Sequence, residues 1–204
     1  MKDWLDNVRK PNKDIKTSKK IMASLSILLL GIALGVFSKW LDNMSIDDTI
    51  WWQHILGVLD LRNVFSEFGV WIFLATSISV FSGTPLRAGL NVFLFFVGMT
   101  VSYHLYTILF CGFNPKSYMM IWYVITVITP ILAFISWYAK GSGKISIIVS
   151  SGILVVMMCF SFGIGMWYFD FKSIIDTLLF IGTMIVLYSN PKNVIIRCGR
   201  GKSK

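Results

Sequence analysis

Six apolar stretches, separated by short polar connectors, take up most of this 204-residue chain. Most of them reach the ~20 residues that an α-helix needs to cross ~30 Å of hydrocarbon. They run over residues 21–41, 68–82, 88–111, 118–138, 145–168 and 171–188. We therefore predict an all-α fold, a polytopic membrane helical bundle in which residues 21–188 form six transmembrane helices.

The composition indicates the same class of protein. Hydrophobic residues make up 55% of the chain and charged residues 14%, whereas soluble domains are about 25% charged. A soluble protein of this size could not bury so much apolar surface, because the buried fraction is limited by surface-to-volume scaling. One compact helical bundle with the bilayer as its solvent is the predicted organisation.

The formal charge of +9 is distributed unevenly along the chain. Seven basic residues precede the first stretch, five follow the last, and three lie in the connectors on the same side of the predicted bundle. This positive-inside pattern predicts that both ends lie in the cytoplasm, with residues 1–20 and 189–204 as basic cytoplasmic segments. The bilayer is the predicted partner, because basic residues near anionic lipid contribute ~1 kcal/mol each; nucleic-acid binding is not predicted.

The first external loop is predicted to hold an amphipathic helix over about residues 46–60. Trp51, Ile55 and Val58 fall on one helical face, and Ser45 with Asp48 forms a capping signal before it. Adjacent Trp51 and Trp52 suit the headgroup level of a membrane. An interfacial helix is the main interpretation, and a lid over a ligand is the alternative.

The N-terminal segment has two interpretations. Trp4, Leu5 and Val8 fall on one side of a short helix that ends before Pro11, and such a helix would lie on the inner leaflet. The alternative is a frayed basic tail.

Small residues and one proline mark predicted sites of helix packing. Glycines spaced four apart let helix backbones approach closely. A proline near the middle of the fourth stretch should free the carbonyl of Thr126 and bend that helix. The predicted packing positions are Gly31, Gly35, Gly163, Gly165 and Pro130.

Ionisable side chains inside a membrane are costly and predict a functional site. His104 and Asp176 lie at matching depths, ~10 Å and ~8 Å below the outer surface. Together with outer aromatic residues, and with Lys39 nearby, they predict an outward-facing site for a small-molecule ligand. The predicted ligand-binding residues are His104, Asp176, Tyr103, Tyr106, Trp51 and Trp52. In the alternative interpretation Asp176 caps its helix and His104 bonds a neighbouring helix.

The spacing of His104 and Cys111 resembles that of the accessory-gene-regulator peptidases, in which a histidine precedes the catalytic cysteine by seven residues. The resemblance implies a membrane-embedded cysteine peptidase. On a straight helix this pair lies ~10 Å apart, so activation of the thiol at ~3 Å would need a break in the third span. We therefore assign no catalytic residue, and no metal or cofactor, since His54 and His104 lack ligand spacing.

The whole architecture is similar to that of two groups: small six-span bacterial cytoplasmic-membrane proteins of unassigned function, and the substrate-capture subunits of energy-coupling-factor transporters. The second group are six-helix proteins of about this size whose ligand site opens outward beneath the first external loop. The similarity implies a protein that binds or helps to transport a small molecule, with another membrane protein as partner. The further alternative is an accessory subunit that contacts its partner through its glycine faces.

Overall fold

The computed structural model describes residues 6, 8–12, 16–45, 49–164 and 169–189. Within these residues the chain is almost entirely helical, which confirms the predicted all-α class. The helices are α1 Thr17–Asn43, α2 Trp51–Val58, α3 Leu61–Ser66, α4 Phe68–Phe81, α5 Pro85–Cys111, α6 Lys116–Trp137, α7 Lys144–Ser161 and α8 Ile174–Tyr188. A short antiparallel pair, β1 Phe162–Ile164 and β2 Phe169–Phe171, connects α7 to α8.

Four of these helices are long and apolar enough to cross a membrane: α1, α5, α6 with its final 3₁₀ turn, and α7. Helices α4 and α8 are apolar but shorter, with 14 and 15 residues. The fifth apolar stretch is helical only as far as Ser161, where Gly163 and Gly165 follow. Glycine is a poor helix former. Gly163 therefore lies in β1, and Gly165 lies outside the described residues.

Helices α1 and α5 pack with their backbones in close contact. A Cβ atom on Gly31 would lie 2.2 Å from the carbonyl oxygen of Phe95, and one on Gly35 would lie 2.3 Å from that of Met99. Only residues without a side chain permit this approach. The glycine face of α1 is thus covered within the chain by α5.

Pro130 interrupts the hydrogen-bonding pattern of α6. A proline has no N–H, so the carbonyl of Thr126 loses its helical partner. The hydroxyl of Thr129 donates to that carbonyl at 2.8 Å. A Cβ on Gly89 of α5 would lie 3.0 Å from the Pro130 carbonyl oxygen, which places α5 directly against the interrupted turn.

Residues 8–12 contact two connections between helices at one end of the bundle. The N–H of Asn12 donates to the carbonyl of Gly83, between α4 and α5, at 2.8 Å. The N–H of Ser142, between α6 and α7, donates to the carbonyl of Val8 at 2.7 Å. This part of the N-terminal segment therefore packs against protein, and Trp4 and Leu5 lie outside the described residues.

Arg9 fastens the same segment to the helix ends. Its guanidinium donates to the carbonyls of Trp137 at 2.5 Å and Val80 at 2.7 Å. It also lies 4.2 Å from the centre of the Trp137 ring, within cation–π range. Burial lowers the pKa of Arg9 to about 10, so the side chain stays charged near neutral pH.

Candidate functional site

A polar cluster at the opposite end of the bundle is centred on Asp42. The hydroxyl of Tyr103 donates to its carboxylate at 2.6 Å, and the hydroxyl of Ser66 donates at 3.2 Å. The buried ammonium of Lys39 lies 3.9 Å from the carboxylate and 5.2 Å from the centre of the Tyr103 ring. We call these residues the outer cluster, after the side of the membrane on which the sequence predicts them to lie; they join α1, α3 and α5.

The cavity beside the outer cluster is very small. It has a volume of about 10 Å³ and is walled by Asp42, Tyr103 and apolar side chains such as Trp71 and Trp122. That is room for about one water molecule. Of the six side chains predicted to bind a ligand, only Tyr103 lines this cavity.

His104 hydrogen-bonds the neighbouring helix and the connection that leads to it. Its Nε2 lies 3.0 Å from the amide oxygen of Asn114, and its Nδ1 lies 2.5 Å from the hydroxyl of Tyr123 on α6. An amide oxygen only accepts, so Nε2 donates, and in the neutral ring Nδ1 accepts from Tyr123. Both ring nitrogens are therefore used in fixing α5 to α6.

Asp176 lies in the first turn of α8 and bonds the N-cap residue of that helix, Ser173. Its N–H donates to the hydroxyl oxygen of Ser173 at 3.0 Å, and the Ser173 hydroxyl lies 2.8 Å from its carboxylate. The residue is only 4% exposed, and its carboxylate lies near Gly69 of α4. A carboxylate in the first turn of a helix is favoured by the helix dipole. The N-cap of α8 is thus Ser173, and Asp176 lies within its first turn.

The remaining predicted ligand-binding residues lie elsewhere. The ring of Tyr106 contacts that of Phe110 on the same helix, with the centroids 4.7 Å apart. On α2, Trp51 and Trp52 are 75% and 37% exposed. Neither tryptophan lines the outer cavity.

The structure does not bring the side chains of His104 and Cys111 together as a catalytic dyad would require. Helix α5 runs without a break through both residues, which keeps them ~10 Å apart along the axis. The thiol sulfur of Cys111 instead accepts a hydrogen bond from the side-chain amide of Asn43 at 2.8 Å. Within the described residues there is also no group of three His, Cys, Asp or Glu side chains able to hold a metal ion.

A much larger cavity of about 490 Å³ opens between α6 and α7. Its floor includes Trp71 and Phe96, from α4 and α5, and its rim includes Leu132 and Ile148, from α6 and α7. These two rim residues are 56% and 69% exposed. We call this space the lateral cavity, because its mouth lies on the exposed side of the bundle between two helices.

The lateral cavity is mostly apolar, and its few polar groups are hydroxyls. Thr76 lines it and is 4% exposed, yet its hydroxyl bonds no residue in the described part of the chain. Three other buried helical threonines donate to a carbonyl four residues earlier: Thr107 at 2.9 Å, and Thr126 and Thr183 at 2.8 Å. The hydroxyl of the half-buried Ser136, which also lines the cavity, likewise bonds none of the described residues.

No pattern in the sequence indicates that these residues line a cavity. Each one is an ordinary member of an apolar helix, and a serine or threonine hydroxyl within a helix is expected to bond a backbone carbonyl of its own helix. The available signal was the small side chains on two different spans, Ala75 with Thr76 and Gly152, which leave space where helices meet. Comparisons with protein-family models, curated proteins and solved structures gave no match.

Proposed function

We propose that this chain is a six-span protein of a bacterial cytoplasmic membrane, with both ends in the cytoplasm, that binds a small apolar molecule carrying one hydrogen-bonding group. The site that we propose is the lateral cavity. The outward-facing site predicted from the sequence carries less weight, because the groups of the outer cluster satisfy one another and leave room for about one water molecule.

Contacts at the two ends of the bundle support the six-span topology. Residues 8–12 meet the α4–α5 and α6–α7 connections at one end. At the other end Lys172, before α8, forms an ion pair with Glu67, before α4, at 2.9 Å. Helices that alternate in direction explain both sets of contacts. The exposed Trp51, Ile55 and Val58 of α2 support an interfacial position for that helix.

The Thr76 hydroxyl on the cavity wall, which bonds no residue in the described part of the chain, is the observation that carries the proposed binding function. A cavity of 490 Å³ lies within the usual range of small-molecule sites, which are mostly apolar with a few placed polar groups. An unpaired hydroxyl in an apolar medium costs free energy. A ligand hydroxyl or carbonyl at this point would supply the missing partner.

A thermal-unfolding titration of the full chain in lipid nanodiscs tests the proposal. The probes are 1-dodecanol, a short-chain quinone and dodecane. We expect a polar probe to raise the unfolding midpoint with saturation, and dodecane to do so weakly. Thr76→Val should weaken binding of the polar probe about two- to tenfold, the value of one hydrogen bond.

Two matched aromatic substitutions provide the control. Gly152→Phe places a ring in the lateral cavity, since a side chain at Gly152 meets open space, and should abolish the shift. Val127→Phe adds the same ring on a surface of α6 that is 70% exposed and outside the cavity, and should leave the shift intact. A shift that survives Gly152→Phe, or no shift with any probe, contradicts the proposal.

A further inference from the structure

A second apolar space lies on the opposite side of α5, against α1. It is a groove of about 330 Å³ whose apolar walls include Leu25 of α1 with Leu90 and Leu94 of α5. Lys20 and Arg87 line the same groove, close to the first residues of the two helices. Its lining residues include no aspartate or glutamate. The groove therefore combines an apolar channel with a cationic end.

A chain of hydrogen bonds holds Arg87 in place at this end. Its Nη2 donates to the carbonyl of Lys20 at 2.7 Å and to the hydroxyl oxygen of Ser24 at 3.1 Å. The Ser24 hydroxyl donates to the amide oxygen of the buried Asn91 at 2.7 Å. The amide nitrogen of Asn91 in turn donates to Ser82 at 3.1 Å. The guanidinium is thus positioned before any ligand arrives.

The remaining donors of Arg87 are open. Its Nε and Nη1 groups donate to no atom of the residues that the structure describes. A guanidinium with free N–H groups matches the oxygens of a phosphate. The apolar channel that runs along the helices from this point matches an acyl chain, which gains about 0.8 kcal/mol for each CH₂ group removed from water.

We propose that this groove binds one anionic phospholipid, with its phosphate on Arg87 and Lys20 and one acyl chain along Leu25, Leu90 and Leu94. Charge complementarity selects this occupant over a zwitterionic lipid. Basic pockets between spans on the cytoplasmic side are typical sites for anionic headgroups, and the topology proposed above places the starts of α1 and α5 on that side. The site is separate from the lateral cavity.

Native mass spectrometry of the delipidated full-length protein tests this inference. The probes are phosphatidylglycerol and phosphatidylcholine with identical chains. We expect one phosphatidylglycerol to be retained per chain, with phosphatidylcholine bound at least tenfold more weakly. Arg87→Gln and Lys20→Gln should each weaken phosphatidylglycerol binding about tenfold or more, the scale of a charged hydrogen bond. Lys116→Gln, an exposed cation at the start of α6, should change nothing.

A further variant and a competitor separate a lipid site from its alternatives. Leu90→Trp fills the apolar channel without touching the polar chain, so it should reduce retention even if Arg87→Gln fails to fold. Inorganic phosphate in excess should not displace the lipid. Equal retention of the two lipids, displacement by phosphate, or retention unchanged in Arg87→Gln, Lys20→Gln and Leu90→Trp would each overturn the assignment.

Discussion

At the residue scale, the polar side chains of this protein mostly satisfy its own backbone and one another. Thr129 replaces the hydrogen bond that Pro130 removes, and Ser173 with Asp176 caps α8. His104 uses both ring nitrogens in contacts to Tyr123 and Asn114. Such pairs fix helix positions, and they explain why polar residues in a span need not mark a ligand site.

The Thr129–Pro130 arrangement gives a prediction at this scale. Thr129→Val should destabilise the protein by about 1–3 kcal/mol, because the carbonyl of Thr126 is left unpaired in the bundle. In a Pro130→Ala background the same change should cost much less, since the new N–H supplies the missing donor. Unfolding of the two single variants and the double variant forms a thermodynamic cycle. Purely additive effects would contradict the assigned bond.

None of the six residues that the sequence predicts to bind a ligand lines the lateral cavity. His104 and Asp176 instead bond other residues of the bundle. The lateral cavity could not be predicted, because a gap between α6 and α7 depends on how helices pack. The sequence shows how polar each position is, but it does not show which residues of other helices will lie beside that position.

At the element scale, the contact of α1 with α5 depends on small residues at the crossing. Gly31→Ala should lower stability by about 1–3 kcal/mol, the usual cost of overpacking, because its Cβ would lie 2.2 Å from a backbone oxygen. Gly152→Ala is the matched control, since its Cβ meets nothing within 4 Å. It should be neutral or slightly stabilising. Thermal unfolding in detergent measures both, and equal effects would contradict the packing argument.

Some helix boundaries could be predicted from the sequence and others could not. Helices α1, α5 and α6 follow their apolar runs closely, because polar turns such as Gly83–Pro85 and Asn114–Pro115 mark their ends. The end of α7 was not predicted correctly, because the fifth apolar stretch runs to residue 168 whereas the helix ends at Ser161. Residues 162–171 are rich in phenylalanine, so hydropathy stays high, whereas the glycines there favour extended backbone over a helix.

At the scale of the whole molecule, the proposed topology predicts which residues react from each side of the membrane. In a cysteine-free background, Phe113→Cys should react with an impermeant maleimide in right-side-out vesicles. Lys144→Cys should react only after permeabilisation, because the α6–α7 connection lies at the opposite end. Both positions are exposed. The reverse labelling pattern would overturn the proposed orientation, and equal reactivity of both would overturn the topology.

The docking of residues 8–12 sets an order of events during biosynthesis. Val8 and its partner Ser142 are separated by 134 positions. At a synthesis rate of ~5–20 residues per second, roughly 7–27 s pass between their appearance from the ribosome. Arg9 must likewise wait for Trp137 at the end of α6. Residues 8–12 therefore reach their final place only after four apolar helices, α1, α4, α5 and α6, have been synthesised.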